Sequence, residues 1–339
     1  MVDIVFSADN GYVPQLLVAS ASAVYAARRT SDAYAIHVLD CGIEDLNWGK
    51  YTSRIDDVAS RHQVVIKIVR HKIDMQQFSE VPAWTNGSRA TWARILLPRL
   101  LPSVSRCIYS DCDVLFVDNP AGMLDELRAS GKAIVGHKNP FGDSGPDAKW
   151  FRFHKLPFNA DNYFCAGLVA MDLDWMRAND VVDACWRFLR DYPKPVSVDQ
   201  TVLNYVFTNN KGLLSEGWGV FTHECYKECL QIKAIHFSGG WPWVKAKNAY
   251  DALCIRLSAV AVKLWREFQI GILGDSKVVR PQVFFVYRIE ALLVLSGCRV
   301  LKCLGIIPLR LRCLIELINA YSGPSSSLKR ALDRIVNGK

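Results

Sequence analysis

A chain of 339 residues in which half are hydrophobic and 22% charged has the profile of a folded protein, which excludes intrinsic disorder. It is long enough for one large domain with an appendage, and no uncharged apolar run reaches the roughly 18 residues of a membrane-spanning helix. The net charge of +8 sits wholly in residues 276–339, where eleven Lys and Arg stand against three acidic residues, so residues 1–275 are neutral.

The opening MVDIVFSADNGY lacks the basic and apolar segments of a signal peptide, and the eleven cysteines are scattered without a CxxC pair. Reduced thiols in a cytoplasmic chain are therefore expected. DIVFSA (3–8) predicts a buried first strand and VPQLLVASASAVYAARR (13–29) a helix with apolar residues at three- and four-residue spacing. YAIHVLD (34–40) predicts a second strand, 43–61 a second helix and VVIKIVR (64–70) a third strand. Such alternation implies a mostly parallel sheet covered on both faces, with ligands at the carboxyl ends of its strands.

Further on, ATWARILLPRLLP (90–102) predicts a helical stretch bent or ended by Pro98 and Pro102. It leads into the strand RCIYSDCDVLFVD. KAIVGHK (132–138) and FCAGLVAMDL (164–173) predict two more strands, with a Gly-, Pro- and aromatic-rich loop at 139–159 between them. Residues 172–192 predict one helix, and SVDQTVLNYVF (197–207) another with Ser197 as its N-cap. Two domains are expected: 1–275, which carries the chemistry, and 276–339, a basic amphipathic helical tail. The tail's apolar residues alternate with Lys and Arg, which suits an anionic membrane surface. A helical extension packed on the domain is the alternative. Nucleic acid is not expected as a partner, because the basic residues stand among Leu and Ile rather than in an open polar patch.

Asp111 and Asp113, either side of Cys112, close the apolar run IYSDCDVLFVD. Two carboxylates at a strand end serve either as a turn or as a pair of hard oxygen donors for a divalent cation. DIVFSADNGY, ATWARILLPRLL, IYSDCDVLFVD, NYFCAGLVAMDL, SVDQTVLN and HFSGGWPW occur in that order. Over residues 3–245 the series resembles glycosyltransferase family 8, in particular its bacterial lipopolysaccharide galactosyl- and glucosyltransferases.

The resemblance implies an α/β fold of the GT-A type, a Rossmann-like nucleotide-sugar-binding domain with a mostly parallel mixed sheet. The basic helical C-terminal extension would be added to it. It also implies a UDP-sugar donor, a manganese ion with magnesium as the alternative, and hexose transfer with retention of configuration. By the same resemblance Asp111, Asp113 and His236 are the metal ligands. Asp9 and Tyr12 meet uracil, with Ser7 adding a backbone contact, and Arg94 lies near the diphosphate and sugar. Ala166 and Gly167, Gly239 and Trp243 line the donor. Asp199 accepts sugar hydroxyls and Gln200 lies near the anomeric carbon. A neutral amide is a poor nucleophile, so front-side attack is preferred.

Three positions depart from the family pattern. Cys165 stands for an asparagine, Gly11 for an asparagine that neighbouring Asn10 would replace, and Trp241 for a lysine that Lys245 would replace. They motivate an alternative, a non-catalytic nucleotide-sugar or membrane-binding protein. A third reading makes His223, Cys225, Cys229 and His236 a structural zinc site. The expected partners are thus the donor, a lipid-linked or lipopolysaccharide acceptor and the inner face of the cytoplasmic membrane, to which the chain would bind peripherally.

Overall fold

Strand β1 (Val2–Ala8) lies between two parallel neighbours, β2 (Tyr34–Asp40) and β4 (Arg106–Ser110), and β2 pairs in turn with β3 (Ile66–Lys72). Every residue of β2 is buried, as befits a strand covered on both faces. β3 is an edge, half-exposed and carrying Lys67, Arg70 and Lys72, charges that discourage pairing with another chain. β5 (Val114–Phe116) follows β4 after a tight turn. β6 (Ile134–Lys138), β7 (Phe164–Asp172) and β8 (Lys211–Leu213) complete a seven-stranded sheet in the order β3-β2-β1-β4-β7-β6-β8. β7 is antiparallel to both its neighbours, and the rest share one direction. The mostly parallel sheet is therefore mixed, as expected.

The structure is a computed structural model that describes residues 1–84, 87–225, 231–238, 243 and 259–275. The chain divides into two units, Met1–Gly219 and Val220–Lys339.

In the first unit, helix α1 (Val13–Ala27) has no charged residue and only small or apolar ones on its buried length. Its Ser20 and Ser22 hydroxyls donate back to the Leu16 and Ala19 carbonyls (both 2.6 Å), which satisfies them inside the core. Ser22 Oγ also accepts the Phe116 N–H (2.9 Å), tying β5 to the helix. Helix α2 (Asp45–Arg61) packs through Tyr51, Ile55 and Val58. Between β2 and α2, Asp40 accepts the Gly42 and Ile43 N–H groups and pairs with Arg70 (2.7 Å). Gly42, at φ +115°, suits that turn because it lacks a Cβ.

The stretch 90–102 is a 3-10 helix, Ala90–Leu96, followed by a single α turn, α3 (Leu97–Leu100). Pro98 sits in the first turn of α3, where no intrahelical N–H is needed. After α4 (Ala121–Ser130) and β6, the expected loop 139–159 holds a helix, α5 (Pro146–Phe153), started by Pro146 and anchored by buried Asp147, Ala148 and Phe151. The single helix expected over 172–192 is two, α6 (Leu173–Ala178) and α7 (Val181–Asp191), because Asp180 takes a left-handed conformation, φ +48°, between them. α8 (Val198–Val206) begins where expected, but Ser197 makes no side-chain cap. The main core lies on one face of the sheet, where Val5, Leu39, Tyr109 and Met171 meet Trp92, Phe188 and Leu203.

In the second unit β9 (Val220–Phe221) and β10 (Ala234–His236) form a parallel pair with His236 opposite Phe221. Helix α9 (Ala259–Gly271), which the sequence reading missed, carries Trp265 with its ring 5.0 Å from both Phe237 and Trp243. Among the described residues no helix is long and apolar enough to cross a membrane. The tail, 276–339, lies outside the described residues.

Candidate active site

The carboxyl ends of β1 and β4 and the amino end of β7 meet at one edge of the sheet, because β7 runs opposite to β4. Asp111 is the first residue past β4, and its N–H donates to the Gly167 carbonyl (2.7 Å) on β7. That bond carries the ladder one residue beyond the strand and fixes the start of the Asp111–Asp113 turn. Tyr109 precedes Asp111 by two residues, so their side chains fall on one face, and the phenol donates to Asp111 Oδ1 (3.1 Å). Cys112 turns the other way, its thiol donating to the Ser7 carbonyl (3.3 Å), and burial pushes its pKa well up. It is a buried protonated thiol, while Asp113 is half-buried beside it. Asp118 forms part of a separate turn, accepting the Asn119 N–H (2.9 Å).

Arg94 is the hub. Its side chain is 2% exposed, and the 3-10 helix delivers it under the strand ends. One terminal nitrogen donates to Asp111 Oδ1 and to Thr91 Oγ1 (both 2.7 Å), and the other donates to the Ala166 carbonyl. Nε lies 2.9 Å from Asp199 Oδ2, yet its proton points to the Thr91 carbonyl (3.1 Å), so Asp199 Oδ2 is held by charge rather than by a hydrogen bond. Thr91 Oγ1 donates to the other Asp199 oxygen (2.6 Å). The guanidinium carbon stands 4.0 Å from the centre of the Tyr109 ring, a cation–π contact in a desolvated setting. Burial alone would lower the Arg94 pKa, but Asp111 and Asp199 outweigh it and hold the group above its ordinary value. Asp199 is pushed above the ordinary carboxylate range by burial, against the opposing pull of Arg94 and Thr91. One cation thus serves two carboxylates, one deep (3% exposed) and one at the open side (32%).

Gln200 follows Asp199 on the first turn of α8, and its Oε1 accepts the Ala166 N–H (3.1 Å). Immediately before the pair, Val198 has φ +42°, strained backbone for a β-branched residue. Arg94, Asp111, Ala166, Gly167, Asp199 and Gln200 are therefore one hydrogen-bonded cluster. Sequence reasoning missed Thr91, Tyr109 and the strain at Val198. Tyr109 was readable from its two-residue spacing to Asp111, whereas the strain at Val198 leaves no sequence signal.

At the end of β1, Asp9 caps the 3-10 turn Asn10–Tyr12 by accepting the Tyr12 N–H (3.2 Å), and Ser88 donates to its second oxygen (3.1 Å). Ser7 donates its hydroxyl to the Ala90 carbonyl (2.7 Å), joining β1 to the 3-10 helix. Tyr12 is half-buried and Gly11 exposed. Asn10 Oδ1 is committed to α2, accepting Glu44 N–H (3.0 Å) and Asn47 Nδ2 (2.9 Å), so it does not take over for Gly11 through that oxygen. Cys165 is half-buried at the start of β7, opposite His137 of β6.

His236 ends β10 in the second unit, 4% exposed and stacked on Phe221 at 5.4 Å. Gly239, Gly240, Trp241, Cys229 and Lys245 lie outside the described residues. Cys225 speaks against the zinc reading: its thiol donates to the Phe221 carbonyl (3.5 Å), and burial pushes its pKa up.

The Asp111–Asp113 turn offers carboxylate oxygens at a partly exposed position, the donor chemistry that a hard divalent cation takes. The donor set fits such an ion.

No curated protein matches the chain at a significant level. Among solved structures, the galactosyltransferase LgtC in complex with donor and acceptor sugar analogues is 20% identical with a TM-score of 0.63, covering 82% of this chain and 97% of its own. The bifunctional glycosyltransferase WbbM is 19% identical with a TM-score of 0.59, over 80% of this chain and 51% of that one. The glycosyltransferase GlyE of Streptococcus pneumoniae TIGR4 is 16% identical with a TM-score of 0.54, over 83% and 64%. At these identities the likeness is one of fold, the mixed sheet of the GT-A glycosyltransferases. The sequence profile of Glycosyl transferase family 8 matches residues 3–246, so the chain belongs to that family.

Proposed function

We propose that the chain is a retaining hexosyltransferase that moves galactose or glucose from a UDP-sugar to a lipid-linked or lipopolysaccharide oligosaccharide. The observation that carries this reading is the cluster in which Arg94 binds Asp111, Asp199 and the β7 backbone together. It ties Asp111, the carboxylate this reading assigns to the cation, and the Asp199–Gln200 pair into one frame, at the strand ends where ligands of α/β sheets collect.

In this reading Asp111 and Asp113, with His236, hold manganese, magnesium being the alternative. The ion, when bound, offsets the charge of the departing nucleoside diphosphate. Imidazole beside carboxylates favours manganese over magnesium. Asp9 and Tyr12 take the uracil, the ring serving as a stacking platform, with Ser7 beside them. Ala166, Gly167, Gly239 and Trp243 line the donor. Arg94 acts on the donor through Asp111 and Asp199, because its donors go to protein acceptors. Asp199 orients the sugar, and Gln200, half-buried on the first turn of α8, stabilises an oxocarbenium-like state from beneath the ring. The acceptor hydroxyl attacks from the leaving group's side, and a donor phosphate oxygen takes its proton. The catalytic domain spans 1–275, and the tail holds the enzyme on the cytoplasmic face of the inner membrane.

Cys165 and Gly11, and the commitment of Asn10 to α2, favour one second reading, a nucleotide-sugar-binding protein without turnover. A donor screen with manganese separates the two. Release of UDP from UDP-galactose or UDP-glucose, lost in Asp113→Ala, supports the enzyme. Binding of UDP with no release from any donor, in the presence of lipid oligosaccharide acceptors, supports the alternative.

A further inference from the structure

Asp147 is 4% exposed on the first turn of α5, a carboxylate that the resemblance assigns no role. Its Oδ1 accepts the Tyr163 phenol (2.5 Å) and the Thr201 hydroxyl (3.2 Å), and its Oδ2 accepts the Ser197 hydroxyl (2.9 Å). All three donors are neutral hydroxyls from two other segments, the approach to β7 and the start of α8. Burial pushes the Tyr163 phenol well above its ordinary range, so it remains a donor at any working pH.

These contacts bracket the strained residue. Ser197 Oγ reaches Asp147, the Ser197 N–H donates to Thr201 Oγ1 (2.9 Å), and Thr201 reaches Asp147 as well. On the other side of Val198, Asp199 is held by Thr91 and Arg94, and Gln200 by the Ala166 N–H. The Gln200 side chain also adjoins the Tyr163 hydroxyl. Val198, at φ +42°, thus lies between two pinned sides, and Asp147 pins the Ser197 side.

We propose that Asp147 is a positioning residue, a buried anchor that holds the strained Val198 turn and thereby aims Asp199 and Gln200 at the donor sugar. The inference rests on the reading of those two as the residues beneath the sugar ring. Without the anchor, Val198 relaxes to negative φ and the carboxylate and amide that follow it turn away. Misplacement of that size lowers the chemical step without touching the nucleotide end of the donor.

The test uses the full chain with Asp147→Asn, which keeps the shape but offers Ser197 an amide N–H₂ in place of an oxygen. Three results are expected. The kcat for UDP-sugar turnover falls on the order of 10- to 100-fold while UDP affinity stays within about twofold. The Gln200 amide, bonded to the Ser197 carbonyl at 3.0 Å, exchanges its hydrogen faster. Adding Val198→Gly, which adopts positive φ without strain, recovers part of kcat, although glycine in a helix lowers stability. If Asp147→Asn does not fold, Ser197→Ala removes the same link and gives the same directions with smaller size.

A wild-type kcat together with unchanged Gln200 exchange overturns the proposal. So does an equal fall of kcat and UDP affinity that Val198→Gly does not recover. If the wild type itself turns over no donor, the transfer reading fails. The anchor is then judged by exchange alone, with faster exchange supporting it and unchanged exchange overturning it.

Discussion

Arg94 shows how burial decides what a residue does. A guanidinium on a surface helix would be free to meet a phosphate, but here its donors go to Thr91, Ala166 and Asp111, with Asp199 beside Nε. Removing it leaves Asp199 buried without its countercharge, which costs far more than the net worth of the pair. Arg94→Met is expected to lower unfolding free energy by about 3–5 kcal/mol and to abolish turnover, read by urea denaturation and UDP release. Arg94→Lys restores the charge but not the planar fork, so it recovers stability in part and turnover hardly at all. A variant as stable as the wild type would show that the two carboxylates do not depend on this cation. The sequence made the residue visible through its place in ATWARILLPRLL. Its partners were not visible, because Thr91, Asp111 and Asp199 are brought together only by the fold.

Among the elements, β1, α1, β2, α2 and β3 were legible because their periods and turn residues agree with burial on the sheet. The direction of β7 was not, since a continuous apolar run reads the same in a parallel or an antiparallel strand. Nor was α5, hidden in a Gly- and Pro-rich stretch whose Pro146 starts a helix rather than ending one. β8 is too short for any periodicity, yet its first residue joins three elements. Lys211 Nζ donates to the Asn204 carbonyl (2.8 Å) on α8, and Asn204 in turn binds the backbone of Phe164 on β7. Burial pushes the Lys211 pKa down to about 8.

Below about pH 8 the buried charge is carried in full and opposes folding, and between that value and 10.5 the folded protein sheds the proton before the unfolded one does. Stability of the wild type relative to Lys211→Met therefore rises with pH across that window, by up to about 3 kcal/mol. Chemical denaturation at several pH values reads the difference, and a flat difference would contradict the account.

For the whole molecule, charge is the informative quantity. The excess of +8 lies in residues 276–339, and the 275 residues before them are neutral, which is why the proposed membrane role falls on the tail. Binding of the full chain to vesicles containing phosphatidylglycerol is expected to weaken steeply as salt rises, and to be weak on phosphatidylcholine alone. Equal binding to both would remove charge as the cause. Family membership and the fold class were readable from six ordered motifs, several of which fall at the ends of β1 and β4 or at the start of α8. Donor and acceptor identity were not, because no motif constrains the side-chain placement in the loops.

In the proposed function, a divalent cation held by Asp111 and Asp113 supports hexose transfer from a UDP-sugar. The most direct measurement is UDP release from UDP-galactose and UDP-glucose by the wild type and by Asp113→Ala, with chelator and with manganese. Release is expected from at least one donor, lost with chelator, restored by manganese and lowered on the order of 100-fold in the variant. Undiminished release by Asp113→Ala in the presence of chelator would contradict it.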